Sequence, residues 1–133
     1  MSEALQIGLS HSKEMRVSDA DVASAYGNPG VHVFATPAMV TLIENTTGEC
    51  LDATLPDAQG SVGTHLNVRH LAATPIGMLV RCSAEVIEID RRRVLFAVEV
   101  YDEVEKIGTG THERFIIPDL PKFLAKAGEK SAG

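Results

Sequence analysis

A hydroxyl at Thr36, a carboxylate at Glu44 and an imidazole at His70 are the three side-chain types that acyl transfer uses. A carboxylate can attack a carbonyl or take a proton from water, an imidazole carries protons near neutral pH, and a hydroxyl orients either. Thr36 and Glu44 come from one apolar stretch, residues 34–51. It reads as a helix with Thr36 as N-cap and Pro37 at the first helical position, where a missing N–H costs nothing. At about 100° per residue, Thr36, Val40, Ile43, Glu44, Thr47 and Leu51 share one face. Ala38, Met39 and Leu42 make the other side apolar as well, so the helix should be enclosed by its domain. A carboxylate in such a stripe is costly unless it is paired or performs chemistry. Thr36 and Glu44 are separated by about 12 Å along the axis at about 1.5 Å per residue. The same spacing also describes inert roles: Glu44 hydrogen-bonded at the rim of the core, His70 a satisfied core histidine, Thr36 only a cap.

The elements that must position these residues follow from periodicity. Residues 5–17 pattern weakly as a first strand. Residues 18–26 read as a short helix capped by Ser18, with Asp21 at the third position, ended by the turn Gly27-Asn-Pro-Gly30. After the long helix, whose last turn is weakened by Gly48, residues 52–60 form a polar loop. The period then switches to two. Val62, Thr64, Leu66, Val68 and His70 fall on one strand face, which aims His70 toward the helix. Residues 78–89 follow, with Val80, Cys82, Ala84 and Val86 aligned, then a hairpin at residues 90–92. Residues 93–102 align Val94, Phe96, Val98 and Val100, and residues 107–117 form a last strand loosened by Gly108 and Gly110. Pro118 stops it before a short terminal helix over residues 120–127. Strand, helix, then four strands on short turns is an α+β plan: one antiparallel sheet curled around one long helix. The strands from Met78 onward are long, and an exposed edge should be covered by a second chain.

The 133 residues suit a single domain spanning 1–133, and 44% apolar content is enough for it to fold. A formal charge of −6 argues against general nucleic-acid binding. No run of about 18 apolar residues is present to span a membrane, and residues 1–13 do not pattern as a signal peptide. Cys50 and Cys82 have neither metal-ligand nor disulfide-framework spacing, and the five histidines, His11, His32, His65, His70 and His112, form no zinc pattern. Reduced, buried cysteines in a cytoplasmic protein without a metal or other cofactor are expected.

Several short motifs occur in order: Val33-Phe-Ala-Thr36 with Met39-Val40 and Glu44, then Gly63-Thr64, then His70 with Ala72-Ala-Thr-Pro75 and Gly77, and finally Gly108-Thr-Gly-Thr-His-Glu-Arg114. Together they resemble the fluoroacetyl-CoA thioesterase family, a branch of the hotdog-fold thioesterases. The resemblance implies a hotdog fold, hydrolysis of a small acyl-CoA, and a homodimer with its sites near the dimer interface. It places the catalytic residues on Thr36, Glu44 and His70, and the substrate-contacting Gly and Arg on Gly63 and Arg114. Fluoroacetyl-specific members carry phenylalanines as a lid in the segment before the catalytic Thr. Here that segment is Tyr26-Gly-Asn-Pro-Gly-Val-His32, with no Phe until Phe34, so a thioesterase for another short acyl group, or a broad one, is expected.

Coenzyme A is polyanionic, so an acidic chain needs a local basic patch, for which Arg69, Arg81, Arg91, Arg92, Arg93 and Lys122 are candidates; Arg91 to Arg93 also read as a solvated hairpin tip. Three other readings stay open. One is a non-catalytic acyl-CoA binding module on the same fold. Another is a hotdog hydratase, which Glu44 with a strand histidine suits less well. The third is a structural dimer without ligand.

Overall fold

The computed structural model describes residues 4–131. Its elements are β1 (Ser10–Arg16), α1 (Thr36–Asp52), β2 (Gly60–His70), β3 (Leu79–Asp90), β4 (Arg93–Tyr101), β5 (Lys106–Ile117) and α2 (Leu120–Gly128). The five strands form one antiparallel sheet in the order β1-β3-β4-β5-β2, and α1 lies in its concavity.

The sheet's inner face is written in the β3 and β4 alternation. Val80, Cys82, Ala84 and Val86 on β3, and Val94, Phe96, Val98 and Val100 on β4, are all buried. Against them α1 buries Ala38, Met39, Leu42, Ile43, Thr46, Thr47, Cys50 and Leu51. A helix apolar on most of its circumference can be solvated nowhere else, so the sheet curves around it. Gly48 does not interrupt α1.

Four expectations are corrected. Residues 18–26 form two 3₁₀ turns, Asp19–Asp21 and Ala23–Tyr26, rather than one helix. Ser18 does bond Asp21 through both its amide and its hydroxyl, at 2.8 Å each. Val22 then turns extended, because it bridges to Phe34, and Ala23 N–H donates to the Val33 carbonyl.

Thr36 is the first residue of α1, not its cap. Ala35 holds the cap position and makes no side-chain capping bond. The Thr36 hydroxyl is thereby released for another partner.

The third correction concerns β2. Gly63 pairs with Arg114 and His65 pairs with Glu113, so Thr64 is an extra residue, a β-bulge. Because side chains alternate faces, one inserted residue exchanges the faces on its two sides. Leu66, Val68 and His70 face α1 as expected, but Val62 and Thr64 do not join them. Ser61 and Gly63 do, across from Ile116 and Arg114.

Finally, the sheet edges are β1 and β2, whereas the long strands β3, β4 and β5 are paired on both sides. The open edge that needs covering is the 11-residue β2. No described helix is long and apolar enough to cross a membrane.

Candidate active site

Thr36 begins α1 and His70 ends β2, and the fold sets them side by side. Thr36 Oγ1 shares a hydrogen bond of 2.8 Å with His70 Nδ1. The imidazole is braced edge-on by the buried Phe34 ring, with centroids 6.3 Å apart and planes at 80°. His70 Nε2 is enclosed and lacks a hydrogen-bond partner of good geometry among the described residues. Burial pushes the His70 pKa below its usual value, with the Ala72 backbone acting in the opposite direction, so the neutral ring is favoured. This pair opens onto a cleft of about 360 Å³ walled by Val31, Val33, Phe34, Ala72 and Ala73. Its volume falls in the range of small-molecule sites.

Glu44 lies two turns further along α1, among different partners. Its Oε1 is 2.6 Å from His112 Nε2, and Arg114 donates to Oε2 at 3.2 Å. His112 is buried on β5, and its Nδ1 lies 2.9 Å from Thr47 Oγ1. Thr47 follows Glu44 by three residues on the same helix face. Arg114 is buried too, donating to the hydroxyl and carbonyl of Ser61 at 2.8 and 3.0 Å and to the Glu44 carbonyl at 3.3 Å. Burial lowers the His112 pKa, and the hydrogen bond and charge of Glu44 only partly offset it. The Glu44 side chain itself remains 41% exposed, so its carboxylate is held from the core side and open on the other.

Gly63 completes this group. A Cβ placed there would lie 2.2 Å from Glu44 Oε1, so the carboxylate rests directly on the β2 backbone where no other residue type leaves room. The bulge at Thr64 is what turns Gly63 toward the helix.

Two of the three expected catalytic residues therefore meet, and the third stands apart. No hydrogen bond among the described residues links the Thr36–His70 pair to the Glu44 group. Glu44 instead meets Gly63 and Arg114, the two residues that the resemblance set against the substrate rather than beside the carboxylate. Sequence reasoning missed His112 as the partner of Glu44. The signal was present: Gly108, Gly110, His112 and Arg114 alternate along β5, and this face carries the polar pair opposite Glu44 and Thr47 of the helix. Of the candidate basic residues, Arg93 is committed to Glu88 and Glu113. Among the described residues, no three His, Cys, Asp or Glu side chains come together as a metal-ligand set.

Over residues 17–119 the sequence matches the family of fluoroacetyl-CoA-specific thioesterases. A fluoroacetyl-CoA thioesterase of Streptantibioticus cattleyicolor is 42% identical over 99 residues, 74% of this chain and 70% of that one. A solved fluoroacetyl-CoA thioesterase superimposes with a TM-score of 0.87 at 34% identity, across 96% of this chain and 98% of that chain. A hot-dog-like protein from Thermanaerovibrio acidaminovorans, 22% identical, gives a TM-score of 0.88 across 97% of this chain and 95% of its own, which identifies the α1-in-sheet architecture as the hotdog fold.

Proposed function

The chain belongs to the fluoroacetyl-CoA-specific thioesterase family and hydrolyses acyl-CoA thioesters, and on that premise we propose that its substrates carry short acyl groups, that it works as a homodimer, and that Thr36, Glu44 and His70 are its catalytic residues, with Gly63 and Arg114 against the substrate. The observation that carries the reading is the carboxylate of Glu44, gripped by His112 and Arg114 on its inner side and open on its outer side. A carboxylate held in this way supplies an electron pair at the thioester carbonyl, directly or through a water molecule. The carbonyl oxygen gains charge in that step. Where the reacting carbonyl sits beside Thr36, the amides at the start of α1, apart from Pro37 which has none, would present positive ends to that oxygen. The sulfur of coenzyme A leaves and takes up a proton; where Glu44 attacks directly, a water then cleaves the acyl–Glu44 anhydride, and by either route the acyl group departs as the free acid with Glu44 regenerated. His70, neutral and held at Nδ1 by Thr36, exchanges that proton through Nε2, which is shielded from bulk water.

The separation of the two groups supports the dimer. β2 is an unpaired edge carrying Leu66, 37% exposed. If two copies pair antiparallel along this strand about its midpoint, His65, then His70 of one copy stands opposite the partner's Gly60. That is three residues from the partner's Gly63, on which the partner's Glu44 rests. Each site then joins Thr36 and His70 of one protomer to Glu44 of the other. The segment before Thr36 has no phenylalanine until Phe34, which supports acyl groups other than fluoroacetyl. Cys50 and Cys82 are buried, and burial raises the pKa of the Cys82 thiol to about 11; buried cysteines of this kind support a cytoplasmic setting.

The test is hydrolysis of acetyl- to butyryl-CoA, read by thiol release. Glu44→Gln keeps the shape but removes the nucleophile or base, and activity should fall at least about a hundredfold in a folded protein. Near-normal turnover of a folded Glu44→Gln would leave Glu44 an inert rim residue. Subunit mixing tests the shared site. Glu44→Gln and His70→Ala, each inactive alone, should regain activity when their dimers are unfolded and refolded together, because one site per mixed dimer keeps both residues. Mixed dimers without recovered activity would place the site within one chain.

A further inference from the structure

We infer that His112 is a positioning residue for catalysis: its Nε2–H holds one oxygen of Glu44, Thr47 fixes its tautomer, and the pair sets the carboxylate that Arg114 holds from the other side. The inference rests on Glu44 being the reacting carboxylate.

The geometry leaves little freedom. An ionised carboxylate only accepts hydrogen bonds, so Nε2, 2.6 Å from Glu44 Oε1, carries the hydrogen. The neutral ring then accepts at Nδ1 from the Thr47 hydroxyl at 2.9 Å, whose single hydrogen turns to it in preference to the Ile43 and Glu44 carbonyls at 3.1 and 3.2 Å. The ring is fully buried, with exposure of 1%, among side chains that close-pack around it. Gly63 closes the side of Oε1 that His112 does not occupy. Oε1 therefore has a single seat, and Oε2 is directed by Arg114 NH1. Without His112, the half-exposed Glu44 side chain has rotamers toward solvent in which neither oxygen lies where the thioester is attacked. His112 does not itself face the cleft lined by Thr36 and His70. It acts through Glu44, much as a group that orients a catalytic base fixes its direction without touching the substrate.

Two substitutions and one spectrum test this. His112→Met fills the buried space with an apolar side chain of similar bulk, and the Thr47 hydroxyl stays satisfied by the Ile43 carbonyl at 3.1 Å. His112→Gln restores an N–H near the position of Nε2 but cannot titrate. Because the lost contact matters only when Glu44 meets the carbonyl in the transition state, kcat should fall about thirtyfold in His112→Met while KM moves less than about threefold. His112→Gln should recover most of kcat. Imidazole nitrogen NMR of the wild-type protein should show His112 protonated at Nε2 and bare at Nδ1, and in Glu44→Gln the Nε2 resonance should shift. A folded His112→Met with normal kcat, a His112→Gln as slow as His112→Met, or a His112 ring protonated only at Nδ1 would each overturn the inference. The spectrum decides even if His112→Met does not fold. If Glu44→Gln proves active, the underlying reading of Glu44 fails. If Glu44→Gln is dead and His112→Met is not, only the positioning role fails.

Discussion

Gly63→Ala crowds the seat of the Glu44 carboxylate directly, at a residue also proposed to lie against the substrate. The added Cβ would lie 2.2 Å from Glu44 Oε1, whereas ordinary contact begins near 3.4 Å, so the oxygen must retreat by about 1 Å. The direction is set, because His112 stands behind Oε1 at 2.6 Å and cannot yield inside a packed core. The carboxylate swings outward and both the His112 and Arg114 bonds stretch or break. A misplacement of about 1 Å in a reacting group costs about a hundredfold in rate, or about 2.7 kcal/mol of transition-state stabilisation. Stability should fall only modestly, because a loss of about 1–3 kcal/mol from the weakened bonds to buried His112 and Arg114 is partly offset. The atom displaced is the end of a flexible side chain, and alanine in a strand recovers about 0.5–1 kcal/mol of backbone entropy relative to glycine. The assay is thiol release from acetyl-CoA alongside thermal melting of the same preparation. A drop in kcat of about two decades with a cooperative melt lowered by only a few degrees is the expected pattern. A Gly63→Ala protein that melts normally and hydrolyses within about twofold of wild type would mean that the position of Oε1 is irrelevant to turnover.

Acid should destabilise the fold before its carboxylates titrate. Burial holds His70 and His112 below their usual value of 6.5 in the folded protein, while the unfolded chain takes up those protons near 6.5. Between the folded and unfolded values the unfolded state binds more protons, so stability rises with pH: it is fully present above 6.5 and is lost as pH falls through the folded values. Melting temperatures across pH 5 to 8 should be level above about 7 and decline below it, with a shallower decline in His112→Gln; a level profile throughout would contradict the burial argument. Gly48→Ala should raise stability by about 0.5–1 kcal/mol, since glycine inside a helix costs about that much and the new Cβ would meet the Arg114 guanidinium at an ordinary 3.5 Å. Denaturant titration showing a loss instead would indicate that Arg114 needs the uncovered backbone.

The chain's local chemistry already fixed the long apolar helix, the buried alternation of β3 and β4, and the α+β plan, because period and propensity are properties of neighbouring residues. The short motifs likewise carried the family, while the meeting of Glu44 with Gly63 and Arg114 came only with the fold. Tertiary structure decided the rest. Thr36 reads as a cap in one dimension, since caps are the usual use of such a hydroxyl before a helix. It became the partner of His70 because β2 ends beside the start of α1, 34 residues away in sequence. Val62 and Thr64 belong with His70 by strict alternation, but the single unpaired residue of the bulge exchanged strand faces and brought Gly63 inward. His112 lies 68 residues from Glu44, and only the register of β5 over α1 made it the carboxylate's partner. The alternation along β5 marks His112 and Arg114 as one inward face, but which helix residue they meet is decided only where the folded chain brings donor and acceptor together.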